Sequence, residues 1–357
     1  MKNRFITAYL IAAFLVPLVP VNCQTSTGNR DKYTLLTTPY NKRPLTLYKG
    51  QFQADAGYKF SLRSRSFDNN GDVIDLKTNG NASVMHNYFL ELRYGVLNFV
   101  ELGIESSYSK RGIRTESTTY GSAFSEVIVN ELSEYKGLGD LYIYTSIRLP
   151  VQYTWFDFRV SGGFFLPTAK YKPDQPSNSI SVDNTTSTYT IDYKYNNKNG
   201  YGVPVYQISA AAKVTFSKFA AYADFVFKDP LKEGTNIRWD ETLSNYVFYY
   251  TSHEYDYLLD REMTTTASVH YQPVGWFDIH LKGSLLLSSK GWTEYWDNVR
   301  YKNPEIQLLT LEPGYEIQIS PSLRLSQSAG FSLSGKSTDA PFYMITTLSY
   351  SIFPFLK

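Results

Sequence analysis

Apolar and polar residues alternate with a period of two along most of the chain. Between Gly137 and Lys170, Leu141, Ile143, Ile147 and Leu149 share one parity while Asp140, Tyr142, Tyr144, Ser146 and Arg148 take the other. After Pro150–Thr154 the pattern resumes, with Phe156, Phe158, Val160, Phe164 and Leu166 on one face and Asp157, Arg159, Ser161 and Gly163 opposite. Successive strand side chains point to opposite faces, so this segment reads as a β-hairpin with one apolar wall and one charged wall. A soluble sandwich also uses such a hairpin. Repetition around the chain, with short and long links in turn, is what a closed membrane barrel requires.

The repetition is there. Alternating segments are expected near Gln51–Leu62, Ala82–Val96, Phe99–Ser109, the two arms of the hairpin, Tyr201–Phe216, Phe219–Lys228, Glu262–Tyr271, Phe277–Ser288, Glu305–Ile319, Leu323–Leu333 and Phe342–Phe353. Links after the even-numbered strands are short and those after the odd-numbered strands are long. The fold class expected is therefore all-β, a single-chain antiparallel transmembrane β-barrel of the outer membrane with about 12 strands. Both mature termini are expected in the periplasm. An unpaired edge in lipid costs several kcal/mol per orphan amide, so the first strand should pair with the last. Tyr153, Trp155, Phe156, Phe216, Phe219, Tyr271, Trp276 and Phe277 gather at the short turns, where aromatic rings suit the headgroup interface. Within the connection Lys110–Lys136, the apolar island Val127–Val129 reads as a loop helix or a strand extension. Tyr189–Tyr195 alternates as a strand continuing above the membrane would.

Composition strengthens this reading. The 357 residues include 31 Tyr, 22 Phe and 5 Trp but only 19% charged residues, too few for an ordinary soluble surface. Lys2 and Arg4 precede an apolar run from Phe5 to Val21, so residues 1–23 are expected to be a signal peptide. Pro17 and Pro20 break the run, which disfavours a membrane anchor, and Pro20-Val21-Asn22 is a poor approach to a lipidated Cys23. Cleavage before Gln24 leaves no cysteine, which excludes disulfides and thiolate chemistry. It also leaves basic and acidic residues equal in number, so no field for nucleic acid remains. Residues 24–49 are polar and proline-bearing, a periplasmic lead or a partial plug, and residues 50–357 form the barrel.

Parity places Asp55, Lys59, Glu91, Arg93, Glu101, Glu105, Asp140, Arg148, Asp157, Arg159, Lys213, Asp224, His270, Asp278, His280, Lys282, Glu312, Glu316 and Arg324 on the lumen side. Both signs occur in near balance, which suggests ion pairs across the lumen rather than a selective ring of one charge. No catalytic, cofactor or metal site is expected. His270 and His280 with Asp278 and Ser268 or Ser284 lack a strained nucleophile motif. His253 and His270 show no compact metal-ligand spacing. GLGD at Gly137–Asp140 opens a strand, not a helix, so it is no phosphate loop.

Four segments carry a family likeness: RPLTLYKGQFQADAGYKF from Arg43, GLGDLYIY from Gly137, GGFFLPTAKY from Gly162 and GYGVPVYQISAAAKV from Gly200. In these the chain resembles the bacterial outer-membrane family linked to phenol-degradation meta-pathways, often described as transporters. The likeness covers Arg43 to Phe227 well and the C-terminal third only generically. It implies a barrel related to channels for hydrophobic or aromatic compounds and brings no catalytic residues with it. Ala169 stands where glycine is common, and the loops are long, which separates substrate from fold. The expected function is an outer-membrane channel, transporter-like, for passive uptake or efflux of small hydrophobic or aromatic compounds without a cofactor. The alternative is a non-transporting structural or partner-binding barrel. Expected partners are membrane lipid and lipopolysaccharide, a small hydrophobic or aromatic ligand and an envelope protein; the Tyr-rich segment Tyr246–Tyr257 reads either as a surface for such a ligand or partner or as surface decoration held by local packing.

Overall fold

In the computed structural model the described residues are 44–352, apart from 78–81, 122–123, 150–154, 170–171, 173, 184–187, 198–199, 245–246, 290 and 295–298. The expected signal peptide, Cys23, most of the lead, the turn at Pro150–Thr154 and Phe353 lie outside them.

Twelve strands form the wall: β1 (Phe52–Arg63), β2 (Ser83–Leu97), β3 (Val100–Gly121), β4 (Leu141–Leu149), β5 (Phe156–Leu166), β6 (Val205–Phe216), β7 (Phe219–Pro230), β8 (Arg261–Val274), β9 (Phe277–Ser289), β10 (Ile306–Gln318), β11 (Leu323–Lys336) and β12 (Phe342–Ile352). Each pairs antiparallel with its neighbours in sequence, and β12 returns to β1, with Phe52 facing Ile352 and Leu62 facing Phe342. The ring is a closed β-barrel. Closure leaves no wall strand with an open edge, which is the condition for a sheet in hydrocarbon.

Side chains sort by parity. Leu90, Leu102, Ile143, Phe164, Ile208, Val269, Leu281, Leu333 and Leu348 are exposed on the outer face. Glu101, Ser146, Lys213, Asp278 and Glu312 are buried on the other. Trp155, Phe216, Phe219, Tyr271 and Trp276 form an exposed aromatic rim at the short-turn end, where Phe219 and Tyr271 stack at 4.8 Å. The two-residue turn Ser217-Lys218 places Ser217 at φ 51°, the left-handed geometry that such hairpins need.

The long-loop end departs from the expectation in two places. The segment Lys110–Lys136 is not a loop. β3 continues to Gly121 and pairs with Phe124–Leu138, so Val127–Val129 extends the sheet and the helix alternative is set aside. Thr188–Asn197 then runs parallel to Phe124–Leu138 and antiparallel to Ser177–Asp183. β6 starts at Val205 rather than Tyr201, because Gly202 takes φ 71° and Pro204 has no N–H to give a ladder. A further hairpin, Gly234–Ser244 with Val247–Leu258, rises between β7 and β8.

Candidate functional site

The barrel interior is built from three polar groups of residues and one aromatic group. Each arises because one strand parity carries Asp, Glu, Lys, Arg, Ser and Tyr, and closure turns that parity inward.

Residues 44–50 cross the short-turn end on the β2–β5 side as a strap. The Leu45 N–H donates to Asp157 Oδ2 at 2.7 Å, and the Leu47 N–H to Glu101 Oε2 at 2.9 Å. Arg159 donates to the Leu45 carbonyl at 3.3 Å and lies 3.9 Å from Glu101, while Arg148 lies 3.8 Å from Asp157. Glu101 is fully buried, at 0% exposure, and Thr46 and Leu47 are 3% and 7% exposed. Gly50 N–H donates to the Gly95 carbonyl at 2.7 Å, and Gly95 must lack a side chain because a Cβ there would collide with the Tyr48 carbonyl. Lys213 is buried opposite Asp157 in the β5–β6 register.

A second group joins the first two strands to the last three. Arg93 donates to Asp55 at 2.7 Å and stands 3.6 Å from Glu91, which also accepts from the Tyr144 hydroxyl. Gln53 donates to Asp55 and accepts from Arg324 at 3.3 Å and from Ser351 at 3.0 Å. Arg324 in turn pairs with Glu316 at 3.2 Å. Next to it, Glu312 accepts from Lys282 at 3.0 Å, Ser328 at 2.9 Å and Tyr343 at 2.8 Å, and Lys59 sits 4.1 Å over the Tyr343 ring. Asp55, Arg93, Glu312, Glu316 and Arg324 each have an ion-pair partner here, which offsets the cost of burying them.

The third group lies near the β8–β9 turn. His270 Nδ1 is 2.8 Å from Asp278 Oδ1 and its Nε2 is 3.2 Å from Ser268 Oγ, with the His280 ring alongside at 4.9 Å. Ser268, His270 and Asp278 thus have the connectivity of a hydrolytic triad. The backbone around Ser268 is paired on both sides with β7 and β9, however, and offers no pair of N–H groups for an oxyanion.

An aromatic ladder completes the interior. Tyr142 stacks on Tyr144 at 5.1 Å and on Phe165 at 4.4 Å, and Phe165 meets Tyr201 edge-on at 5.4 Å. It runs from the long-loop end down to the Glu91–Arg93 pair. A cavity of about 370 Å³ occupies the opposite half, lined by Asp224, His270, His280, Lys282, Glu312 and Glu316 with Ser and Thr hydroxyls between them.

Asp140 stands apart from the other candidates. It precedes β4 at the long-loop end and accepts from the N–H groups of Ala169 at 3.0 Å and Tyr201 at 2.6 Å, tying two loops to the rim. Burial pushes its carboxyl above the usual range, against these backbone hydrogen bonds, which pull it down. Parity did not point to the strap or to Gln53 as a hub. The alternating Leu45 and Leu47 between Pro44 and Gly50 were the only visible signal of the strap.

A closed ring of twelve antiparallel strands with an apolar outer face, an aromatic rim and a paired-charge interior defines a β-barrel of the outer membrane. Comparison with known proteins agrees at the level of fold. An outer membrane channel from Pseudomonas putida F1, known from its crystal structure, matches with a TM-score of 0.57 at 12% identity, over 86% of this chain and 97% of that one. The toluene transporter TodX of P. putida matches with a TM-score of 0.46 at 10% identity, over 90% and 92% of the two chains. The monoaromatic hydrocarbon channel CymD gives 0.45 at 9%, over 85% and 88%. Scores below 0.5 add nothing to the fold assignment. No family model and no curated protein sequence matches the chain.

Proposed function

We propose that the protein is a passive outer-membrane channel for small aromatic compounds that carry a polar group, oriented with its short turns and both mature termini in the periplasm. The observation that carries this is the inward ladder of Tyr144, Tyr142, Phe165 and Tyr201, which leads from the long-loop end into a wall of neutralised charge. Aromatic rings stack on a solute's ring, and balanced ion pairs accept its polar substituent without selecting a net charge. The likeness of Arg43–Phe227 to the phenol-degradation group supports the same class, and the outer membrane channel from P. putida F1 that shares the fold supports a channel. In this reading residues 1–23 direct export, residues 24–49 are a periplasmic lead that ends in the strap, and the outer face contacts lipid and lipopolysaccharide.

The strap and the dense ion pairs favour a second reading, a barrel that transports nothing and serves structure or a partner. Purified protein in liposomes separates the two. Uptake of phenol-sized aromatics faster than of sugars of equal mass is expected. Zero flux of both, with no single-channel current, refutes the channel and leaves the structural barrel.

A further inference from the structure

His270 and His280 are ten residues apart in the chain, but the β8–β9 register sets them directly opposite one another. Asp278, two positions before His280, shares its face. His270 Nδ1 lies 2.8 Å and His280 Nδ1 3.7 Å from the same Asp278 oxygen, and the three ligating atoms fall within 4.8 Å of one another. Asp278 is only 2% exposed. Among the described residues, neither Asp278 Oδ2 nor His280 Nδ1 has a hydrogen-bond partner, although both are buried. Such atoms cost about 1–3 kcal/mol each when left unmet. Both belong to side chains of this one cluster, which leaves it with acceptor and donor capacity for a further partner.

We propose that His270, Asp278 and His280 form a binding site for a first-row divalent cation of the zinc type. Two imidazole nitrogens and a carboxylate are a common donor set for such ions. With bonds of about 2.0–2.2 Å, a tetrahedral site has ligand atoms roughly 3.3 Å apart, and the observed 2.8 and 3.7 Å bracket that spacing. The surroundings supply the outer shell. When His270 Nδ1 takes the metal, its proton moves to Nε2, which then donates to Ser268 Oγ, now 3.2 Å away. The nearby cations Lys282 and Arg324 are held by Glu312 and Glu316, so they do not compete for Asp278. Both histidines line the 370 Å³ cavity, from which water or an anionic solute would complete the coordination. The site requires only the fold, so it stands or falls separately from transport.

The test uses the mature barrel carrying an affinity tag without histidine, since the chain has only four histidines of its own. Co²⁺ titration should give the visible bands of a tetrahedral complex at one ion per barrel, and Zn²⁺ should displace it. His280→Ala and Asp278→Asn should each abolish the bands and weaken Zn²⁺ by more than the ~10–100-fold that loss of an outer-shell partner costs. Ser268→Ala should weaken it by about 10-fold, and His253→Ala should change nothing. Heat-dependent gel mobility verifies that each variant is a folded barrel; if His280→Ala does not fold, Asp278→Asn decides. No Co²⁺ bands in the parent protein, or bands that survive in the folded Asp278→Asn variant, overturn the proposal.

Discussion

The strap offers the most direct test of how the interior is closed. Its two anchors are N–H groups donating to buried carboxylates, Leu45 to Asp157 and Leu47 to Glu101. A hydrogen bond to a charged group contributes about 1.5–3 kcal/mol, against about 0.5–1.5 for a neutral pair. Asp157→Asn with Glu101→Gln keeps an oxygen at each position but removes the charge, a loss of ~1 kcal/mol per anchor and ~2 in total. At ~1.4 kcal/mol per tenfold, the ratio of docked to released strap falls by roughly 30-fold. The Gly50 and Gly95 backbone bonds stay, so the strap swings from a fixed end. Docking is read by placing cysteine at Thr46, which is 3% exposed, in a chain that starts at Gln24 and so carries no other cysteine. Reaction with a membrane-impermeant maleimide should be slow in the parent and about 30-fold faster in the double variant. Single-channel conductance should rise with it. Equal labelling rates in the two proteins, or a parent that reacts as fast as an open surface site, would refute the anchoring.

Three further outcomes are expected. Glu312→Gln takes the charge out of a buried hub that accepts from half-exposed Lys282 and from Ser328 and Tyr343, which should cost ~1–3 kcal/mol in urea unfolding and shift reversal potentials toward anion preference. Tyr142→Ala and Phe165→Ala remove the middle of the aromatic ladder; aromatic uptake should fall several-fold while sugar flux holds steady, and parallel losses of both would deny the ladder a role in selection. At the long-loop end, the N–H groups of Asp72 and Asn70 hold the Asp68 carboxyl below its ordinary 3.8. Because the folded value is lowered, this turn's order is present above 3.8 and is lost as pH falls through the lowered value, an amide-shift titration that should leave the barrel resonances unmoved.

Much of the architecture was readable from alternation. A period of two, repeated with short and long links, admits few closed solutions, and lipid forbids open edges. The twelve wall strands, their order and their outward apolar faces follow from local patterning of residues such as Ile143, Phe164 and Leu281. The upper half of β3 was harder to see, because Ile113 to Gly121 is polar on both faces and reads as loop until Phe124–Leu138 pairs with it.

Parity also assigns the charges to one face, but it carries no information about partners. Arg93 with Asp55, Arg324 with Gln53 and Glu312 with Tyr343 join positions 31 to 271 residues apart. The register of each strand pair and the curvature of the closed ring set those meetings. The same holds for His270 and His280, which the hairpin register sets directly opposite one another. By itself the sequence determined what lies on each side of the wall, because side-chain direction in a strand is local. Only the tertiary structure decided which side chains share a point in the interior and where the strap crosses, since those depend on strand stagger and closure.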